Sequence, residues 1–222
     1  MMEMDAFRQV KVHPIVGLYD DSWYHGANAG EFQSKVLNEV YQRLSLDESR
    51  SINVIVADTV KRDSQGTDLP GTGSVTGGGS HGDGSYGGYA FATPDMRLFD
   101  AALLSDNRDL SDSYGVQIPG WFRTQDGRDL VGKYVGVMFG GLAHELGHAL
   151  GLMHNFLTEV GAAETNLMGT GFIYFRGAID PASNIGDGSL ATRFHPHELP
   201  VLQGASRYLK GDPVAWTDNV SP

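Results

Sequence analysis

Cysteine is absent from the 222 residues, and that absence removes disulfide staples, thiolate metal sites and a cysteine nucleophile together. It leaves the compartment undefined, because cysteine-free chains occur inside and outside cells. No uninterrupted apolar run reaches the roughly 18 residues that a membrane-spanning helix needs, so no membrane span is expected. Positive charge is scarce, with 16 Lys and Arg against 27 Asp and Glu and a formal net charge of −11. Phosphate backbones are bound by basic faces, so nucleic acid is not an expected partner. The opening MMEMDAFRQV lacks a basic stretch followed by an apolar core, so no signal peptide is expected in this chain. What is present suffices for a core: 41% of residues are hydrophobic, and the length fits one domain over residues 1–222.

The first third reads as alternating strand and helix. Val10 to Tyr19 mixes β-branched residues in near-alternation and predicts a strand. Residues 31–46 place Phe32, Val36, Val40 and Leu44 four apart, the spacing of an amphipathic helix. Ser51 to Val60 predicts a second, buried strand, so that strand, helix and strand form a parallel pair with a crossover. The tract from Gly66 to Gly88 holds ten of the 30 glycines. It has no Gly-Lys-Ser/Thr ending, so a phosphate loop is not supported. It reads as a surface loop, with His81 and Asp83 as alternative ion ligands. Gly88 to Pro94 predicts a short strand, and residues 105–129 a long connection.

A long helix is expected from Leu130 to Leu150. Val131, Val135, Met138, Leu142, Leu146 and Ala149 recur at steps of three and four and make one core stripe. Gly140 and Gly141 each cost this helix about 1 kcal/mol relative to alanine, and glycines kept in a helix usually let something pack closely against it.

The run HELGHALGLMH, His144 to His154, carries the chemistry. Residues four apart share a helical face, so His144 and His148 offer two imidazoles to one ion. At 100° per residue they lie far round from Leu142, on the side where a cleft can open. Glu145 projects beside the pair, placed for a base rather than for a third ligand. Gly151 supplies a helix stop, after which His154 can swing back to the same ion. Three neutral imidazoles leave a fourth position for water, the catalytic rather than the structural pattern of zinc. Requiring the glycine and the third histidine at fixed positions tightens a chance match about two-hundredfold by composition.

His144 to His154 resembles the extended zinc signature HExxHxxGxxH of the metzincin peptidases. The run itself is nearer the matrixin form, while Asn155-Phe156 resembles the pappalysin-like branch, and both branches stay open. The resemblance implies a methionine turn beneath the metal, and NLMG (Asn166 to Gly169) makes Met168 that residue, a soft apolar floor rather than a ligand. It also implies a zinc-dependent endopeptidase. In such an enzyme Glu145 would take a proton from zinc-activated water as that water attacks the scissile carbonyl, then pass it to the leaving amine. Some metzincins carry a tyrosine two residues after the turn methionine; Thr170 stands there, and Tyr174 is the nearest candidate for pocket lining or transition-state support. His81-Gly82-Asp83 is similar to the start of the matrixin structural zinc loop, but the later histidine is replaced by Phe91. A second zinc is therefore not expected, and calcium is the alternative there.

The implied fold is α/β (α+β). An upper lobe of residues 1–154 would hold a twisted mixed sheet and two long helices, and a small irregular lower lobe of residues 155–222 would end in a helix over Arg193 to Leu209, with Pro196 near its start, and a cleft between the lobes. The implied partner is a protein or peptide substrate extended along a sheet edge. A monomer, secreted or extracellular, completes the expectation. His13, His25, His195 and His197 read as structural or surface residues. Two other readings use the same residues: a catalytically silent binding protein on this scaffold, and a ligand-binding protein with structural zinc.

Overall fold

The computed structural model describes residues 12–25, 29–46, 51–58, 75–78, 87–115, 123–154, 165–188 and 190–203. Within them the chain is a mixed α+β fold. Eight labelled elements follow in order: α1 (Asp21–His25), α2 (Ala29–Leu44), β1 (Ile52–Val56), β2 (Val75–Gly78), β3 (Gly88–Ala92), α3 (Leu110–Tyr114), α4 (Val131–Ala149) and α5 (Phe175–Ile179). Short 3-10 turns at Ala101–Ser105, Gly171–Tyr174, Pro181–Ser183 and Pro196–Glu198 connect the later ones.

The sheet is mixed and three-stranded, in the order β1-β3-β2. β1 runs parallel to β3 with Ile52 opposite Gly88, and β2 runs antiparallel to β3 with Val75 opposite Ala92. Side chains alternate across a strand, so β3 presents Tyr89 and Phe91 to one face. There they join Phe32 and Ile55 in a core with Val36 and Val40 of α2. Ala90 and Ala92, both fully buried, point the other way. That is the face crossed by α4, which packs on β2 and β3.

Two expectations are corrected. The predicted strand at 10–19 is irregular over its described residues 12–19, and Val12, Val16 and Leu18 are exposed. Pro14 removes a backbone donor from the middle of that run. The Leu18 amide goes instead to the Tyr24 hydroxyl and to Glu39 of α2. The parallel partner of β1 is therefore β3. Inside the glycine-rich tract, residues 75–78 form the edge strand β2, although their composition reads as loop. Ladder bonds to β3 supply what propensity does not. His81 and Asp83, with the alternative calcium site, lie outside the described residues.

α4 matches the predicted span within a residue at each end. Its first turn has no side-chain cap; the Val131 and Gly132 amides instead donate to the carbonyls of Arg108 and Asp106. Val131, Val135 and Met138 of the stripe pack with Leu98, Leu104 and Leu110. Another side of the helix is built from glycine. Gly132 and Gly136 lie against Arg176, where an added β-carbon would meet the Arg176 side chain at 2.9 Å. Gly140 lies against Phe172 and Phe175. The close packing expected at Gly140 is present, and it brings residues 171–176 directly onto the helix. The helix predicted over Arg193 to Leu209 begins with the 3-10 turn and continues through residues 199–203; its expected remainder lies outside the described residues. No described helix is long and apolar enough to cross a membrane.

Candidate metal centre

α4 ends at Ala149, and Gly151 takes φ +87°, the left-handed conformation that glycine adopts without a β-carbon clash. The Leu152 amide folds back to the Gly147 carbonyl at 2.9 Å. This sharp reversal carries His154 to the two helix histidines. The three Nε2 atoms form a nearly equilateral triangle: His144 to His148 is 3.2 Å, His148 to His154 is 3.1 Å and His154 to His144 is 3.2 Å.

Hydrogen bonding at the other ring nitrogens fixes what those Nε2 atoms carry. His144 Nδ1 lies 2.6 Å from the Leu167 carbonyl, and His148 Nδ1 lies 2.8 Å from the Leu152 carbonyl. A carbonyl only accepts, so each Nδ1 bears the proton and each neutral ring keeps its Nε2 lone pair for the shared point. The lone pairs of His144 and His148, 3.2 Å apart, repel one another unless a proton or a cation sits between them. The spacing fits one: tetrahedral bonds of about 2.0–2.1 Å to imidazole nitrogen give edges of about 3.3 Å. Burial pulls the His144 pKa down, the Leu167 hydrogen bond works against it, and the neighbouring His148 and His154 add to the lowering. Burial likewise lowers His154, helped by His148 and opposed by Glu145. Both effects favour the neutral, metal-ready ring.

Glu145 is partly buried on the helix beside His144. Burial pushes its carboxyl pKa up, and His154 pulls in the other direction. A carboxylate held on the basic side of its ordinary range is better matched to taking up a proton near neutrality.

The floor comes from the turn at residues 165–171. Met168 is fully buried, and its sulfur rests against Gly147, which lies between His144 and His148 in the chain. The Asn166 carbonyl accepts from the Gly169 and Gly171 amides, closing the turn, and the Thr165 and Leu167 backbones pair with Arg193. Phe172 sets its ring edge-on to His144 at 5.4 Å between centroids. His144, His148, His154 and Met168 are thus brought together, with Glu145 alongside.

For Tyr174 the contact shown is a different one: its ring lies 4.6 Å from the Lys133 ammonium. Lys133 belongs to the first turn of α4, eleven residues before His144. Lys133 is itself bonded to Asp187 at 2.6 Å, with side chains 0% and 1% exposed. Burial lowers the Lys133 pKa while the Asp187 partner opposes that shift. Tyr174 therefore covers a buried ion pair that ties residues 174–187 to the start of the helix.

Two buried polar pairs, one at the turn beneath the histidines and one at the start of α4, fall outside the set expected from the sequence. Asn166 and Glu198, both buried, are bonded to each other at 3.0 Å beneath the turn. The buried Lys133 and Asp187 are 54 residues apart in the chain, and no local spacing advertises such a pair. Glu198 does leave a signal: it stands three residues after His195 and closes a capping box with it. His195 caps that turn by accepting from the His197 amide, a structural role. No family model, curated protein or solved structure matches the chain.

Proposed function

We propose that this protein is a zinc-dependent endopeptidase of metzincin type, with His144, His148 and His154 as ligands and Glu145 as general base. One observation carries the reading: three Nε2 atoms from a helix and the turn after it converge at 3.1–3.2 Å, two of them with the tautomer fixed by a carbonyl. Three imidazole ligands leave one coordination position for a reactant, which separates a catalytic from a closed structural site. A zinc ion held there supplies Lewis acidity, polarising a carbonyl and lowering the pKa of a water molecule toward neutrality. Glu145 takes the proton from the attacking water and returns it to the departing amine. His144 and His148 keep their orientation through the Leu167 and Leu152 carbonyls, so no reorganisation is needed during turnover. Met168 keeps the floor dry and apolar. β2 stands at an edge of the described sheet, beside α4, where an extended peptide can add as a further strand.

Metal analysis of the purified protein, with casein as substrate, tests the reading. One zinc per chain and casein cleavage abolished by a chelator and restored by zinc are expected. Failure to bind zinc or a hydroxamate would overturn it.

A further inference from the structure

The three ligands do not account for the polar residues buried beneath them. Glu198 is 5% exposed and Asn166 is 2% exposed. A carboxylate is costly to bury unless its oxygens find donors, and here both do. Oε1 accepts from Asn166 Nδ2 at 3.0 Å, and Oε2 accepts from the His195 amide at 2.7 Å. The other end of the Asn166 amide, Oδ1, accepts from the Met168 amide at 2.9 Å. One residue earlier in the same turn, the Leu167 carbonyl accepts from His144 Nδ1 at 2.6 Å.

Polarity makes this chain directional. An asparagine amide can be turned over at almost no steric cost. A carboxylate has only acceptors, however, so Glu198 compels Nδ2 to face it. Oδ1 must then face the Met168 amide, which can only donate. Turned the other way, the NH2 group would meet a backbone N–H donor to donor, and the turn would lose its internal tie. We infer that Glu198, acting through Asn166, is a positioning residue for the metal centre: it locks the methionine turn so that the Leu167 carbonyl holds His144 with Nδ1 protonated and Nε2 free. The relay's use to the protein rests on the reading of His144 as a metal ligand.

The relay predicts an exchange of chemistry between two positions. Glu198→Gln is nearly isosteric, but its amide keeps one acceptor for His195 and turns a donor toward Asn166. Asn166 then presents Oδ1 to that donor and NH2 to Met168. In the double variant Asn166→Asp/Glu198→Gln the groups are swapped. The new amide at position 198 is the donor, and the new carboxylate at position 166 accepts from it and from the Met168 amide. Every hydrogen bond is thus remade at the same net charge.

Two measurements on the full chain decide this. Zinc affinity is read by competition with a chromophoric chelator, and the His144 tautomer is read by long-range 1H–15N spectra of histidine-labelled, metal-free protein. The wild type should show His144 protonated at Nδ1. Glu198→Gln should show mixed tautomers and a roughly 10–100-fold loss of zinc affinity, the usual size of an outer-shell effect. The double variant should recover both. An unchanged tautomer and affinity in Glu198→Gln would overturn the relay, as would a double variant no better than the single one. If Glu198→Gln does not fold, the double variant decides alone: recovery of fold and tautomer supports the relay, and failure overturns it. A wild-type protein that binds no zinc ends the peptidase reading, while the metal-free tautomer measurement still decides the relay.

Discussion

The sulfur of Met168 lies 2.4 Å from where a β-carbon on residue 147 would stand, so it is at a glycine that the turn lies against the helix, between His144 and His148 in the chain. Helix propensity alone makes Gly147→Ala stabilising by about 1 kcal/mol. Overpacking a fixed neighbour costs about 1–3 kcal/mol, and Met168 is anchored through its amide to Asn166. Gly147→Ala should therefore lower both unfolding free energy and zinc affinity. Denaturant unfolding with a parallel zinc titration checks this. A variant that gains stability and keeps its affinity would show that the sulfur yields freely.

The Lys133–Asp187 pair should prove expensive to break from one side. Both side chains are essentially excluded from water, and removing one partner of such a pair strands the other charge at about 3–5 kcal/mol. Asp187→Asn can keep the Gln125 amide bond to Oδ1, yet leaves the ammonium without its counter-charge. The expected fall in Tm is about 6–20 °C for a chain of this size. Lys133→Met added to Asp187→Asn should recover part of the loss. Calorimetry of the three proteins checks it, and an unchanged Tm in Asp187→Asn would contradict it.

Asp126 sets an acid-side limit on the loop that meets Gly186. Its carboxylate accepts from Arg128 Nε at 2.8 Å and from the Thr124 hydroxyl at 2.5 Å. These bonds, Arg128 first, hold its pKa at about 2 against an ordinary 3.8. A lowered folded-state pKa contributes stability that is complete above the unfolded value and is lost as pH falls toward the folded one. The difference in stability between wild type and Asp126→Asn should thus be constant above about pH 5 and shrink between about pH 4 and 2. The group is exposed, so the effect should also weaken in high salt. Urea unfolding at a series of pH values checks it, and a difference that stays flat through that window would count against it.

The three clustered histidines are legible in the sequence because their geometry is local. Four residues along a helix and one glycine reversal bring His144, His148 and His154 together with little help from the rest of the fold. The long helices are legible for the same reason, since Phe32, Val36 and Val40, like Val131, Val135 and Met138, repeat at the helical period. What the sequence hides depends on distant partners. β2 is a strand because β3 lies beside it, whereas the described part of Val10 to Tyr19 sends the Leu18 amide to side chains rather than to a ladder. The place of Tyr174 after Met168 points toward the three histidines, and only the fold shows the ammonium of Lys133 over its ring. Glu198 lies 32 residues from Asn166, and only the fold brings its carboxylate under the turn.

The central claim is that Glu145 moves the proton while the three histidines hold the metal, so one substitution should separate the two tasks. Glu145→Ala removes the carboxylate and leaves every Nε2 and both carbonyl tethers in place. Zinc content and casein hydrolysis should be measured side by side on wild type and this variant. The account predicts one zinc in each and a loss of hydrolysis of about 100-fold or more in the variant, as expected for general-base catalysis. Full activity in Glu145→Ala with zinc bound would contradict it.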